Sequence, residues 1–245
     1  MGANDFARLG AFVRALFGAS RRRSPAFEEF RHGFCAESGS GRRLDFEALA
    51  ALQGRERRLA EQMLLNALPN LCAISGLGEL ATPRAKRRLT ALFERECVLA
   101  QAACVAGEAH WSGATMIASA AALWRIAPED RFARAVAGRL RFARAAGERM
   151  DAAVALARMP TAEVDQALNE ALDDRDALVR HHAARSLLAI HGVEVDARAT
   201  HCMIYRVMAS EAARREEGLR NIATALAERP LRGVWPDQDS PGALI

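Results

Sequence analysis

The sequence predicts an all-α protein built from repeated helical hairpins, and three observations carry that expectation. Ala152-Ala153-Val154-Ala155-Leu156-Ala157-Arg158-Met159 and Ala183-Ala184-Arg185-Ser186-Leu187-Leu188-Ala189-Ile190 superimpose at an offset of 31 residues. The template recurs at Ser119 to Ile126, 33 residues before Ala152, and more faintly at Ala73 to Leu80, a further 46 residues upstream. Self-similarity at such a period marks stacked supersecondary units, and the unequal offsets place an insertion in one connection. Composition agrees: the 245 residues are 51% hydrophobic but only 6% aromatic, with one Tyr. Ala and Leu dominate, and both lose little side-chain freedom in a helix. Finally, apolar helical text alternates with short polar, Gly or Pro joints from Leu44 onward.

Phe6, Leu9, Val13, Leu16 and Phe17 fall at helical spacing beside Arg8 and Arg14, which predicts a short amphipathic helix with two readings: contact with a membrane or a partner, or, the favoured one, packing on the first repeat or on Phe27 to Phe34. Ser38-Gly39-Ser40-Gly41 reads as a flexible break. Helices then follow at Leu44 to Gln53, Arg55 to Leu68, Leu71 to Leu80 and Pro83 to Arg95, with a less regular stretch to Glu108. Thr82-Pro83 is a start signal, Thr as cap and Pro in the first turn. Ser112 to Ile126, Glu129 to Glu148, Arg149 to Arg158, Thr161 to Leu172 and Asp176 to His191 complete the series, the last ended by Gly192. Cys202 to Met208 and Ala213 to Arg220 read as closing helices, because a stack needs a polar outer cap. The chain therefore divides into an N-terminal amphipathic segment and linker (1–43), a repeat body (44–200), capping helices (201–230) and a tail (231–245) carrying Trp235.

The net charge is +4, but Lys occurs once, at Lys86, and Asp and Glu are interspersed with Arg throughout. No long one-signed stripe of the kind needed to track nucleic acid is present; Arg21-Arg22-Arg23 is short and reads as a solvated link. The five cysteines form no C-x-x-C pair and sit mostly in apolar helical text, as buried, reduced thiols do. Asp5, Arg8 and Arg14 interrupt the early apolar residues, and no stretch approaches the roughly 20 apolar residues of a membrane span. A cytoplasmic protein is expected.

The segment Ala171-Leu172-Asp173-Asp174-Arg175-Asp176-Ala177-Leu178-Val179-Arg180, continuing through His181-His182-Ala183-Ala184 to Ile190, resembles a HEAT repeat of the short type found in phycobilin lyases. An Asp-rich turn, Val-Arg and Ala-Ala-x-x-Leu carry the likeness, which is specific over residues 149–191 and weaker elsewhere. The resemblance implies a right-handed α-solenoid whose second helices line a concave face, with Asp174 capping the second helix and pairing with Arg180. A carboxylate there suits the free N–H groups and the macrodipole of a helix start. At 100° per residue, Val179, Ala183, Leu187 and Ile190 form the core side of the Asp176 to His191 helix, while His181, His182 and Arg185 lie opposite. The 31-residue offset carries these three to Met150, Asp151 and Val154, and Arg158 to Ala189. Arg125, Asp151, Arg158, His181, His182 and Arg185 are the candidate partner-binding residues.

His181-His182 and His201-Cys202 offer zinc-ligand chemistry, but neighbours in a helix point about 100° apart and nothing at i+4 completes a set. There is no Gly-rich phosphate loop, no G-x-S-x-G and no H-E-x-x-H. Gly76-Leu77-Gly78 reads as close helix packing, and Trp124 as packing at a core-side repeat position. No metal, cofactor or catalytic set is expected. Two enzyme classes share this kind of fold: phycobilin lyases, whose groove aromatics are matched only by Trp111 and Trp124, and alkylpurine DNA glycosylases, whose Lys-rich groove and Trp-x-x-x-Asp placement are missing. The leading reading is a non-catalytic protein-binding scaffold. Bacterial proteins with degenerate Ala/Arg-rich HEAT arrays resemble cytoplasmic immunity proteins against secreted toxins or secretion-system accessory proteins; a glycosylase-type DNA-binding enzyme is the alternative.

Overall fold

A computed structural model describes residues 23–35, 44–106, 113–194, 198–227 and 229–231. The amphipathic segment at 6–17, the Ser38 to Gly41 break, Trp111 and the tail from 232 lie outside them. The described residues form twelve helices and no strand: α1 Pro25–Cys35, α2 Phe46–Ala51, α3 Gly54–Asn66, α4 Leu71–Leu80, α5 Pro83–Ala106, α6 Ala114–Ile126, α7 Asp130–Phe142, α8 Ala146–Leu156, α9 Ala162–Ala171, α10 Ala177–Ile190, α11 Arg198–Met208 and α12 Ala212–Leu226. Helix starts follow the polar residues ahead of them. Asp45, Asn70, Thr161 and Asp176 each accept a hydrogen bond from a first-turn N–H, and Thr82 Oγ1 accepts one from Ala85 N at 3.0 Å.

From α3 onward the helices pack as consecutive pairs, α3 with α4, α5 with α6, α7 with α8, α9 with α10 and α11 with α12. The second members also meet in succession, α4 on α6, α6 on α8, α8 on α10 and α10 on α12, while α3 meets α5 and α7 meets α9. A single apolar core runs between the members, from Phe27 and Phe30 on α1 to Ile222 on α12. The repeat template explains it: Leu77, Leu123, Leu156 and Leu187 occupy the same template position and are all fully buried. Gly78 lets α4 approach α6, since a Cβ there would sit 2.9 Å from Ala122 Cβ and 3.1 Å from its Cα. Gly78→Val therefore overpacks a backbone contact and lowers stability by about 1–3 kcal/mol in urea unfolding; Gly78→Ala loses less.

Two expected helix limits need correction. The predicted helix from Glu129 to Glu148 is broken, with α7 ending at Phe142 and α8 starting at Ala146. Neither Gly nor Pro makes that break. Arg149 Nη1 donates to the carbonyls of Ala143 and Arg144, at 3.0 Å each, and so holds the turn open. α5 also runs on to Ala106, well past Arg95.

The expected contact between the Asp174 carboxylate and Arg180 is replaced by another arrangement. Asp174 instead receives Arg149, which sits one 31-residue offset before Arg180, through Nε to Oδ2 at 2.7 Å and Nη2 to Oδ1 at 2.8 Å. Asp176, not Asp174, caps α10, accepting from Leu178 N and Val179 N. Arg180 donates to the backbone carbonyl of Asp174 and to those of Val207 and Met208, at the C-terminal end of α11. One arginine register thus ties the last three hairpins together, first through a carboxylate and then through the carbonyl-rich end of a helix.

Candidate functional site

The second helices α4, α6, α8 and α10 keep one face out of the core. Core positions take the template's Leu and small residues, so the remaining residues at i, i+4 and i+7 or i+8 fall on one stripe per helix. α4 presents Leu71, Ser75 and Glu79; α6 presents Ala118, Ala121 and Arg125; α8 presents Gly147, Asp151, Val154 and, just past its end, Arg158; α10 presents Leu178, His181, His182 and Arg185. None of these residues is fully buried, and Leu71, Val154 and Leu178 are among the few exposed large apolar side chains. Small side chains on α6 separate the bulkier stripes of α4 and α8.

The structure sorts the six candidate residues into two groups. At the C-terminal ends of α6 and α8, Arg125 forms an ion pair with Glu79 of α4. Arg158, at the equivalent template position, is exposed but surrounded by protein: desolvation and then the charge of Arg125 oppose its protonated form, with Glu79 partly compensating. Arg158 makes no ion pair with any described residue.

The second group centres on the first half of α10. The His181 and His182 rings meet edge to face at 5.0 Å, and His181 lies 6.3 Å from the ring of Tyr205 on α11, which in turn stacks near His201 at 6.2 Å. His181 Nδ1 is buried without a hydrogen-bond partner among the described residues. Asp151 of α8 faces His182 electrostatically. Burial pushes the Asp151 carboxyl above its ordinary value and His182 pulls it back.

Both imidazoles are held below the ordinary histidine value of 6.5, first by desolvation and then by surrounding positive charge, to which Arg185 contributes in both cases. A lowered pKa favours the neutral ring in the folded state. Its contribution to stability is therefore complete above the unfolded histidine value and is lost as pH falls through the lowered folded values. In an NMR titration both rings titrate below free histidine, and Arg185→Gln moves both midpoints upward.

Sequence reasoning missed Glu79, Leu178 and Tyr205. Glu79 and Leu178 were legible: Glu79 shares the template position of Arg125 and Arg158, and Leu178 shares the α10 stripe with His181 and His182. Tyr205 lies beyond the repeated text, so no offset reaches it. Trp124, by contrast, is buried packing, and Trp111 lies outside the described residues. Cys72 and Cys97 are half-buried, but Cys202 is exposed, against the expectation of buried thiols. Among the described residues, no three His, Cys, Asp or Glu side chains group as a metal site would require, and no helix is long and apolar enough to cross a membrane. No protein-family model, curated protein or solved structure matches the chain.

Proposed function

We propose that the chain is a right-handed α-solenoid of HEAT-like hairpins that uses the concave face of its second helices to bind another protein, without catalysis. The observation that carries this reading is the register of the exposed residues. Four successive, contacting helices turn the same template positions outward, so Glu79, Arg125 and Arg158 form one row along the stack. The desolvation felt by Arg158 and Asp151, though both are accessible, is what a recessed surface produces. Exposed Leu71, Val154, Leu178 and Tyr205 add apolar contact area beside those charges, the mixture common in protein interfaces.

The sharper form of the proposal is a cytoplasmic immunity protein that neutralises a secreted toxin, or an accessory protein of a secretion system. It rests on the HEAT resemblance and the fold-level analogy that goes with it. A glycosylase-type enzyme is less well supported, because Glu79 and Asp151 lie among the arginines of the face and would repel a phosphate backbone.

Tagged protein expressed in its native host, recovered with its partners and compared with a His181→Glu/His182→Glu/Arg185→Glu variant, tests the proposal. One protein recovered at 1:1 stoichiometry by the wild type and lost by the variant supports it. Equal recovery by both, or recovery of nucleic acid alone, overturns it.

A further inference from the structure

The charge row at the C-terminal ends of the second helices is unbalanced. Glu79 on α4 is answered by Arg125 on α6. The next position along the stack, on α8, is Arg158, a second cation that shares the influence of that one carboxylate. α10 supplies Ala189 at the following position, so no anion from the repeats answers Arg158. Arg158, exposed beside the Arg125–Glu79 ion pair, suits a carboxylate, which accepts two parallel N–H bonds from one planar fork. One turn back along α8 is Val154, exposed and apolar at 43% accessibility, about 6 Å away along the helix axis by a rise of about 1.5 Å per residue.

Building on the protein-binding reading above, we infer that the partner presents an acidic segment whose Asp or Glu carboxylate docks on Arg158, beside the Arg125–Glu79 pair, while a neighbouring aliphatic or aromatic side chain covers Val154. The roughly 6 Å separation fixes the spacing of that segment. It matches residues four apart on a helix, or two apart on an extended strand at about 3.3 Å per residue. A nucleic acid suits the face less well, because Glu79 and Asp151 interrupt its positive charge and a phosphodiester chain rewards an uninterrupted row.

A displayed library of random 12-residue peptides selected on the full chain tests this directly. The expected winners carry Asp or Glu two or four residues from Leu, Ile, Val or Phe, and replacing that acid by Gln or Asn weakens binding at least tenfold. Arg158→Glu, with unchanged circular dichroism and melting temperature, abolishes binding; Arg158→Lys retains part of it; and a peptide with Arg in place of its acid binds the Arg158→Glu chain. Winners that lack an acid or ignore Arg158→Glu, but are lost with His182→Glu, overturn the carboxylate inference and leave the binding face standing. Winners indifferent to every substitution on the face, or a selection that yields none, overturn both. Tighter, Arg158-dependent binding of a mixed-sequence 20-base-pair duplex overturns the assignment to a peptide.

Discussion

Replacing Arg149 by Ala lowers the stability of the folded chain by about 3–5 kcal/mol in urea unfolding at neutral pH. Arg149 is only 4% exposed, and all three of its guanidinium nitrogens donate, Nε and Nη2 to the Asp174 carboxylate and Nη1 to the Ala143 and Arg144 carbonyls. Truncation leaves the Asp174 carboxylate without its cation and frees the turn that separates α7 from α8. The loss should appear as a lower midpoint with the slope of the transition preserved. Asp174→Asn acts in the same direction, and the double substitution Arg149→Met/Asp174→Leu loses much less than the sum of the single changes, because no buried charge is left over.

The same pair sets an acid limit. Burial alone would raise the Asp174 carboxyl, but the hydrogen bonds from Arg149 and from Asp176 N–H outweigh it and hold it below the ordinary aspartate value of 3.8. A carboxyl depressed in the folded state stabilises above its unfolded pKa, and that contribution drains away as pH falls from the ordinary value through the folded one. Unfolding measured from pH 6 down to pH 2 therefore steepens below about pH 4 in the wild type, and less so in the Met/Leu double variant.

Phe132→Ala is the second large effect, a loss of about 3–5 kcal/mol from the lost transfer energy and the cavity left behind. Phe132 is fully buried on α7 and meets the Phe93 ring of α5 edge to face at 5.2 Å, where ring geometry adds to area. Phe132→Leu recovers part of the loss, which separates the cavity from a change of fold. Thermal unfolding followed at 222 nm reads both variants.

What the sequence made legible is what local rules and repetition encode. α4 matches its expected limits of Leu71 and Leu80, because an Asn cap precedes it and the template Leu fixes its core side. Thr82-Pro83 before α5 speaks through equally local chemistry, whereas the cap of α10 was expected at Asp174 and falls at Asp176. The break at Ala143 to Ala145 could not be read that way. It is made by an arginine four to six residues downstream that takes the carbonyls, and no residue inside the break marks it.

The partner of Asp174 was hidden for a related reason. Arg149 and Arg180 lie one 31-residue offset apart, but the sequence reading paired Asp174 with Arg180, and only the stacking of hairpins decides that the carboxylate takes the arginine of the preceding unit. At the candidate face, periodicity assembled His181, His182 and Arg185 on one stripe and the offset carried it to Asp151. That Arg125 and Arg158 stand with Glu79, apart from the histidine group, depends on contacts between successive helices, as does the approach of Tyr205 to His181.

In-cell photo-cross-linking from Val154 reads the central claim most directly, with Phe142 as the control. Val154 lies on the face of the second helices, whereas Phe142 is a more exposed apolar residue, 79% accessible, at the end of α7. A benzophenone side chain introduced at each position in turn, in the native host, probes the two surfaces under one chemistry. The account predicts a single discrete protein adduct from position 154, lost when Arg158→Glu is added, and none from position 142. A discrete adduct from position 142 with none from 154 would contradict it.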